Sequence, residues 1–123
     1  MKKLSKSETH CYGIEVDDTG SMVMVERIDG KAMLPVCYQA NSEGMTALKH
    51  TVAKPGESGR ICIRSCGAAA LGVALALIAL PHLEILLIAP HALYPMHRTG
   101  GAPILATAEA RAERLAFLAE RMI

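Results

Sequence analysis

The chain is 123 residues long, 51% hydrophobic and 20% charged, with a formal net charge of +1. That length predicts one domain with its own core, and the near-neutral charge excludes a bulk basic footprint for nucleic acid. No Trp and a single Phe argue against an aromatic stacking platform for single strands, while a mean hydropathy of +0.27 leaves apolar surface for self-association.

Residues 1–10, MKKLSKSETH, read as a polar tail. No apolar segment follows the lysines, so no leader is expected and a cytoplasmic location is. A single domain is expected over residues 11–123. CYGIEVDD opens it as a short strand, ended by the turn signal of Asp18, Thr19 and Gly20. SMVMVERI is a second strand, and Asp29-Gly30 is a strong hairpin signal. KAMLPVCYQ is a third strand, placed at a sheet edge by Pro35.

In NSEGMTALKHTVAK, Asn41 or Ser42 serves as N-cap, with Met45, Leu48 and Val52 on one helical face. PGESG ends that helix. RICIR is a fourth strand. The run Gly67 to Leu80 is shorter than the roughly 20 residues of a membrane span, and Pro81, His82 and Glu84 follow it, so it predicts a buried small-residue helix. LEILLIAP is a fifth strand, apolar enough to be covered on both faces. A loop rich in Pro, His and Gly runs to Pro103, and ILATAEARAERLAFLAERMI is a closing helix. There Leu115, Leu118 and Met122 supply the apolar stripe, to be buried or to meet a second copy.

Four cysteines, Cys11, Cys37, Cys62 and Cys66, come without a secretory signal. Buried or half-buried free thiols are expected, not a disulfide framework. Cys62 and Cys66 have the spacing of half a zinc site, but no second close Cys or His pair answers them. Cys66 opens a helix without a neighbouring histidine, which argues against a nucleophile.

The predicted order is β-β-β-α-β-α-β-α: three antiparallel strands, then alternating helices and strands. That is the layout of an α/β fold of the RNase H-like (RuvC-like) type, with a five-stranded mixed sheet whose first and fourth strands adjoin at the centre. The segments YGIEVDDTGSMVMVERIDGK, NSEGMTALKH and ICIRSCGAAALGVALALIALPHLEILLIAP, in this order, resemble the N-terminal domain of the Piv-type transposases and invertases. These are insertion-sequence recombinases with a RuvC-like DEDD domain.

The resemblance implies four acidic positions that hold Mg2+. Here they read Glu15 on the first strand, Arg64 at the end of the fourth, and Ala106 and Glu109 in ATAEAR at the last helix. Two-metal phosphoryl transfer needs converging carboxylates with the ions about 4 Å apart, and a guanidinium stays charged at any ordinary pH. Arg64 is therefore expected to pair with Glu15 and exclude the metal, leaving no cofactor. The Glu15–Arg64 pair also reads as a plain solvated ion pair. Asp17 and Asp18 read as turn residues.

His91, His97 and Arg98 lie in the proline-rich loop, as ordinary exposed residues or as weak phosphate contacts. The function expected is a transposase-derived domain without nuclease activity, a binding or oligomerisation module in DNA recombination. The implied partners are a second copy, DNA or RNA, or a related transposase, with no membrane. The alternatives are an active metal-dependent nuclease using Glu15, Asp17 and Glu109, and a small regulator that assembles with a full-length transposase.

Overall fold

The computed structural model describes residues 9–54, 57–90 and 107–121. Alternation of apolar residues sets β1 (Thr9–Val16) and β2 (Met22–Ile28), which pair antiparallel from Cys11 opposite Arg27 to Val16 opposite Met22. Strand β1 starts two residues before the predicted boundary at Cys11. The hairpin after β2 turns at Asp29 (φ 53°) and Gly30 (φ 81°), the paired left-handed conformation of a type I′ turn.

The predicted third strand is broken in two, β3 (Lys31–Ala32) and β4 (Val36–Tyr38), both on β2. Arg27 faces Ala32 and Met24 faces Val36. Three steps along β2 are thus matched by four along the edge strand, which bulges one residue out beside Pro35. A proline without an N–H fits there and would not fit a continuous ladder. Six strands therefore stand where five were expected.

Helix α1 (Ser42–Val52) is capped by Asn41, whose Oδ1 accepts from the Gly44 N–H at 2.7 Å. It buries Leu48 and Val52, with Met45 partly covered. Strand β5 (Ser58–Arg64) lies parallel to β1, so the first and fourth predicted strands adjoin as expected. Helix α2 (Gly67–Ile78) crosses to β6 (Leu83–Ile88), parallel to β5, and α3 (Ala108–Arg121) closes the described chain. The result is a mixed α/β sheet ordered β3-β2-β1-β5-β6, with β4 off that path.

Each face of the sheet has its own core. Tyr12, Ile14, Met24, Ile61 and Ile63 pack with Leu48 of α1 and Leu77 of α2. On the other face Cys11, Cys62 and Val25 meet Leu115, Ala116 and Ala119 of α3. Helix α3 approaches unusually closely at Gly13, where a Cβ would stand 2.1 Å from Ala112 O and 2.3 Å from Ala116 N. Leu115 is fully buried in this seam, so it is not the exposed dimer contact that the sequence also allowed. Met122 lies outside the described residues.

Two further expectations are corrected. Strand β6 is the end of the sheet order, not a strand covered on both sides, and only Ile88 of it is buried. Helix α2 buries Ala70, Val73, Ala74 and Leu77, but Leu71, Leu75 and Ile78 are exposed on its other side. Uniform hydrophobicity hid which half faced the sheet, because no polar residue marks the outer face. No helix among the described residues is long and apolar enough to cross a membrane.

Candidate functional site

Parallel pairing sets Ile14 against Ile63. Glu15 and Arg64, the next residue on each strand, therefore project together on the face covered by α3. The Arg64 Nε donates to both Glu15 oxygens at 3.0 Å, and its Nη2 donates to Oε2 as well. A second guanidinium arrives from the first turns of α3: Arg111 Nε donates to Glu15 Oε2 at 2.9 Å. The Glu15 side chain is 1% exposed, while those of Arg64 and Arg111 are 22% and 24% exposed. One buried carboxylate thus carries two cations whose outer ends reach solvent. The bare solvated pair is excluded by this burial.

Helical phase explains why Arg111 takes the place expected for Glu109. Ala112, Leu115, Ala116 and Ala119 are the fully buried residues of α3, and Arg111 lies one turn before Leu115 on the border of that face. Glu109 is two residues earlier, about 200° around the helix from Arg111, and it is exposed. The structure brings Glu15 and Arg64 together and leaves Glu109 outside. Ala106, His91, His97 and Arg98 lie outside the described residues.

Asp17 is exposed in the turn after β1. Its Oδ1 accepts from the Thr19 N–H at 2.9 Å, the Thr19 hydroxyl at 2.7 Å and the Ser21 N–H at 3.0 Å. The Thr19 hydroxyl bond, followed by those backbone bonds, holds its carboxyl below the ordinary carboxylate value. These three bonds turn Oδ1 inward on the loop. Among the described residues no three His, Cys, Asp or Glu side chains converge as a metal ion requires. The residues around Glu15 do not fit Mg2+: a hard cation would have to displace two permanently charged guanidiniums from the only carboxylate buried among the described residues.

At the opposite end of the same face, Arg27 Nε donates to Glu120 at 2.8 Å, and Arg60 Nε donates to Glu84 at 2.7 Å. On the other face His10 joins Glu26, at 2.8 Å from Nδ1, to Glu57 on Nε2. Its two ring nitrogens point at different carboxylates, so this trio cannot converge on one ion. Cys11 and Cys62 are buried, Cys66 is half-buried with its Sγ 3.8 Å from Val16 O, and Cys37 is exposed on β4. Exposure of Cys37 corrects the expectation that all four thiols are covered; it follows from the edge position of β4.

Compared with known proteins, the chain matches no protein-family model and no curated protein.

Proposed function

We propose that this chain is a transposase-derived, RNase H-like domain that has exchanged metal-dependent strand cleavage for a structural ion cluster. It acts as a binding or oligomerisation module in DNA recombination. The observation that carries the reading is Glu15 held by Arg64 and Arg111. At the sheet end where the resembling family gathers carboxylates, fixed cations neutralise Glu15, and Glu109 lies apart from it. The antiparallel β1–β2 hairpin, the parallel β1–β5 pair at the centre and the helix over Glu15 support the fold reading.

The nuclease alternative finds less support, because Asp17 is engaged in its turn and Glu109 faces solvent. The assembly role gains from one feature. Leu71, Leu75 and Ile78 form an exposed stripe on α2, a helix with no charged residue. A second copy, or a related full-length transposase, is the partner proposed for it.

Titration calorimetry with Mg2+ and Mn2+ tests the central claim, alongside nicking of supercoiled plasmid. The expected result is no saturable binding below about 10 mM, as for a site without free carboxylates, and no nicking. Stoichiometric binding of either ion that is lost in Glu15→Gln would overturn the proposal.

A further inference from the structure

The two edges of the sheet are finished differently. The β3–β4 edge is interrupted: Lys31 opens it and Pro35 stands at its bulge, devices that discourage pairing with another chain. Strand β6, at the other edge, has neither. Its register on β5 is unbroken from Gly59 opposite Leu83 to Arg64 opposite Ile88, and its sequence, LEILLI, holds no proline and no basic residue. Its one acid, Glu84, accepts from Arg60 Nε of β5 at 2.7 Å. Among the described residues no strand pairs with the outer side of β6.

The backbone determines what that side presents. The carbonyls of His82 and Ile88 point inward, accepting from the N–H groups of Gly59 at 2.9 Å and Ser65 at 2.8 Å. Alternation along the strand then turns the N–H and C=O of Leu83, Ile85 and Leu87 outward, where an unpaired ladder is a template for a further strand. The side chains of these three residues share the face of α2. Leu83 and Ile85 pack there against the core, and Leu87 is exposed.

We infer that a second copy docks on this edge: two β6 strands pair antiparallel about a two-fold axis at Ile85, joining the sheets of both copies into one. This rests on the assembly role proposed above and gives it a geometry. Residues opposed in an antiparallel pair share a face, so the axis must pass beside a residue. At Ile85 it pairs every outward group, with Leu83 of one copy opposite Leu87 of the other. Leu87 is thereby covered. The two Glu84 side chains meet only as diagonal neighbours on the opposite face, each already paired with its own Arg60. The same axis sets the α2 helices antiparallel on one face of the joined sheet, where Leu71, Leu75 and Ile78 of both copies close over the seam.

Magnitudes fix the strength of this contact. The six residues of β6 extend about 20 Å, and the 12 residues of α2 about 18 Å. With a helix about 10 Å across lying about 10 Å above the sheet, the strip covers about 400 Å² on each copy. The pair buries about 800 Å² in total, below the roughly 1,200 Å² at which stable interfaces begin. The dimer is therefore weak and concentration-dependent.

Amide hydrogen exchange read residue by residue, from low micromolar to millimolar concentration and with light scattering on the same samples, tests the pairing. The amides of Leu83, Ile85 and Leu87 are expected to slow together as the mass doubles. Leu87→Lys should raise the dimer dissociation constant about tenfold or more, because it sets a charge against an apolar partner. Leu34→Lys, the same change at the other edge, should leave it within about twofold. If Leu87→Lys unfolds, exchange in the unmodified chain decides alone. Amides that stay fast while the mass doubles, or equal weakening by both variants, overturn this edge and leave the assembly role standing. Protection at every concentration assigns the edge to a segment of the same chain and also overturns it. A monomeric mass throughout overturns the inference and the assembly role together.

Discussion

Glu15 accepts four hydrogen bonds from two guanidiniums, three on Oε2 and one on Oε1, with Arg64 Nε shared between both oxygens. Replacing it with Gln keeps the shape, yet turns an amide donor toward cations and removes the charge that holds them together. Breaking a fully buried pair costs about 3–5 kcal/mol. Here both guanidiniums are about a quarter exposed and regain some hydration, so Glu15→Gln is expected to lose about 2–3 kcal/mol in urea denaturation. A loss below about 0.5 kcal/mol, the range of ordinary surface changes, would show that the cluster does not hold α3 to the sheet.

The same face buries two thiols, Cys11 and Cys62. Burial pushes the Cys62 thiol up to about 12 and raises that of Cys11. An unfolded thiol ionises near 9.0, so above that value unfolding releases a proton that the folded chain retains. This contribution is complete below the unfolded value and is lost as the pH climbs toward the folded one. Urea midpoints should therefore fall between about pH 8 and pH 10.5, conditions on either side of that unfolded value. The fall should be shallower in Cys62→Ala; an identical slope in the variant contradicts the assignment.

Between elements, the seam of α3 on β1 depends on the missing side chain at Gly13. A methyl group there would stand against Ala112 O and Ala116 N, backbone atoms that no rotamer change can move. Gly13→Ala should push α3 outward and cost about 3 kcal/mol or more, the upper range for overpacking, read as a fall in the thermal midpoint. This seam also shows what the sequence revealed and where it fell short.

Glycine in β1 and Ala112, Ala116 and Ala119 at helical spacing were visible, and together they locate the face of α3 that touches the sheet. Phasing the helix from that stripe puts Arg111 at the border; phasing it from the family motif put Glu109 there. The Glu15–Arg64 contact was expected only through the resemblance, which sets the two positions at adjoining strand ends; the register of β1 on β5 comes from the structure. The break at Pro35 was readable as an edge, but not as a bulge, since a bulge depends on the register with β2. In α2 the apolar residues run all round, so periodicity could not tell packed positions from exposed ones; Val73 and Leu77 are buried while Leu71 and Leu75 are not.

For the molecule as a whole, the exposed residues of α2 have the greatest consequence. Leu75 is 60% exposed and Ile78 61% exposed, side chains that water hydrates at a cost and a second copy would cover. Light scattering should show a mass rising above that of one chain at high micromolar concentration, and Leu75→Glu should return it to the monomer. A monomeric mass for the unmodified chain at every concentration rules out this surface as the means of assembly.

The closure of α3 over β1 also has a kinetic meaning. Arg111 reaches back across 96 residues to Glu15, and Glu120 across 93 to Arg27. Contacts of such separation form slowly, because a long loop must close before they repay its entropy. On the ribosome β1, β2 and β5 emerge well before the helix that seals them, leaving Cys11, Gly13 and Cys62 uncovered on a nascent sheet. The interval between making β6 and making α3 is therefore the period in which this chain most needs a chaperone.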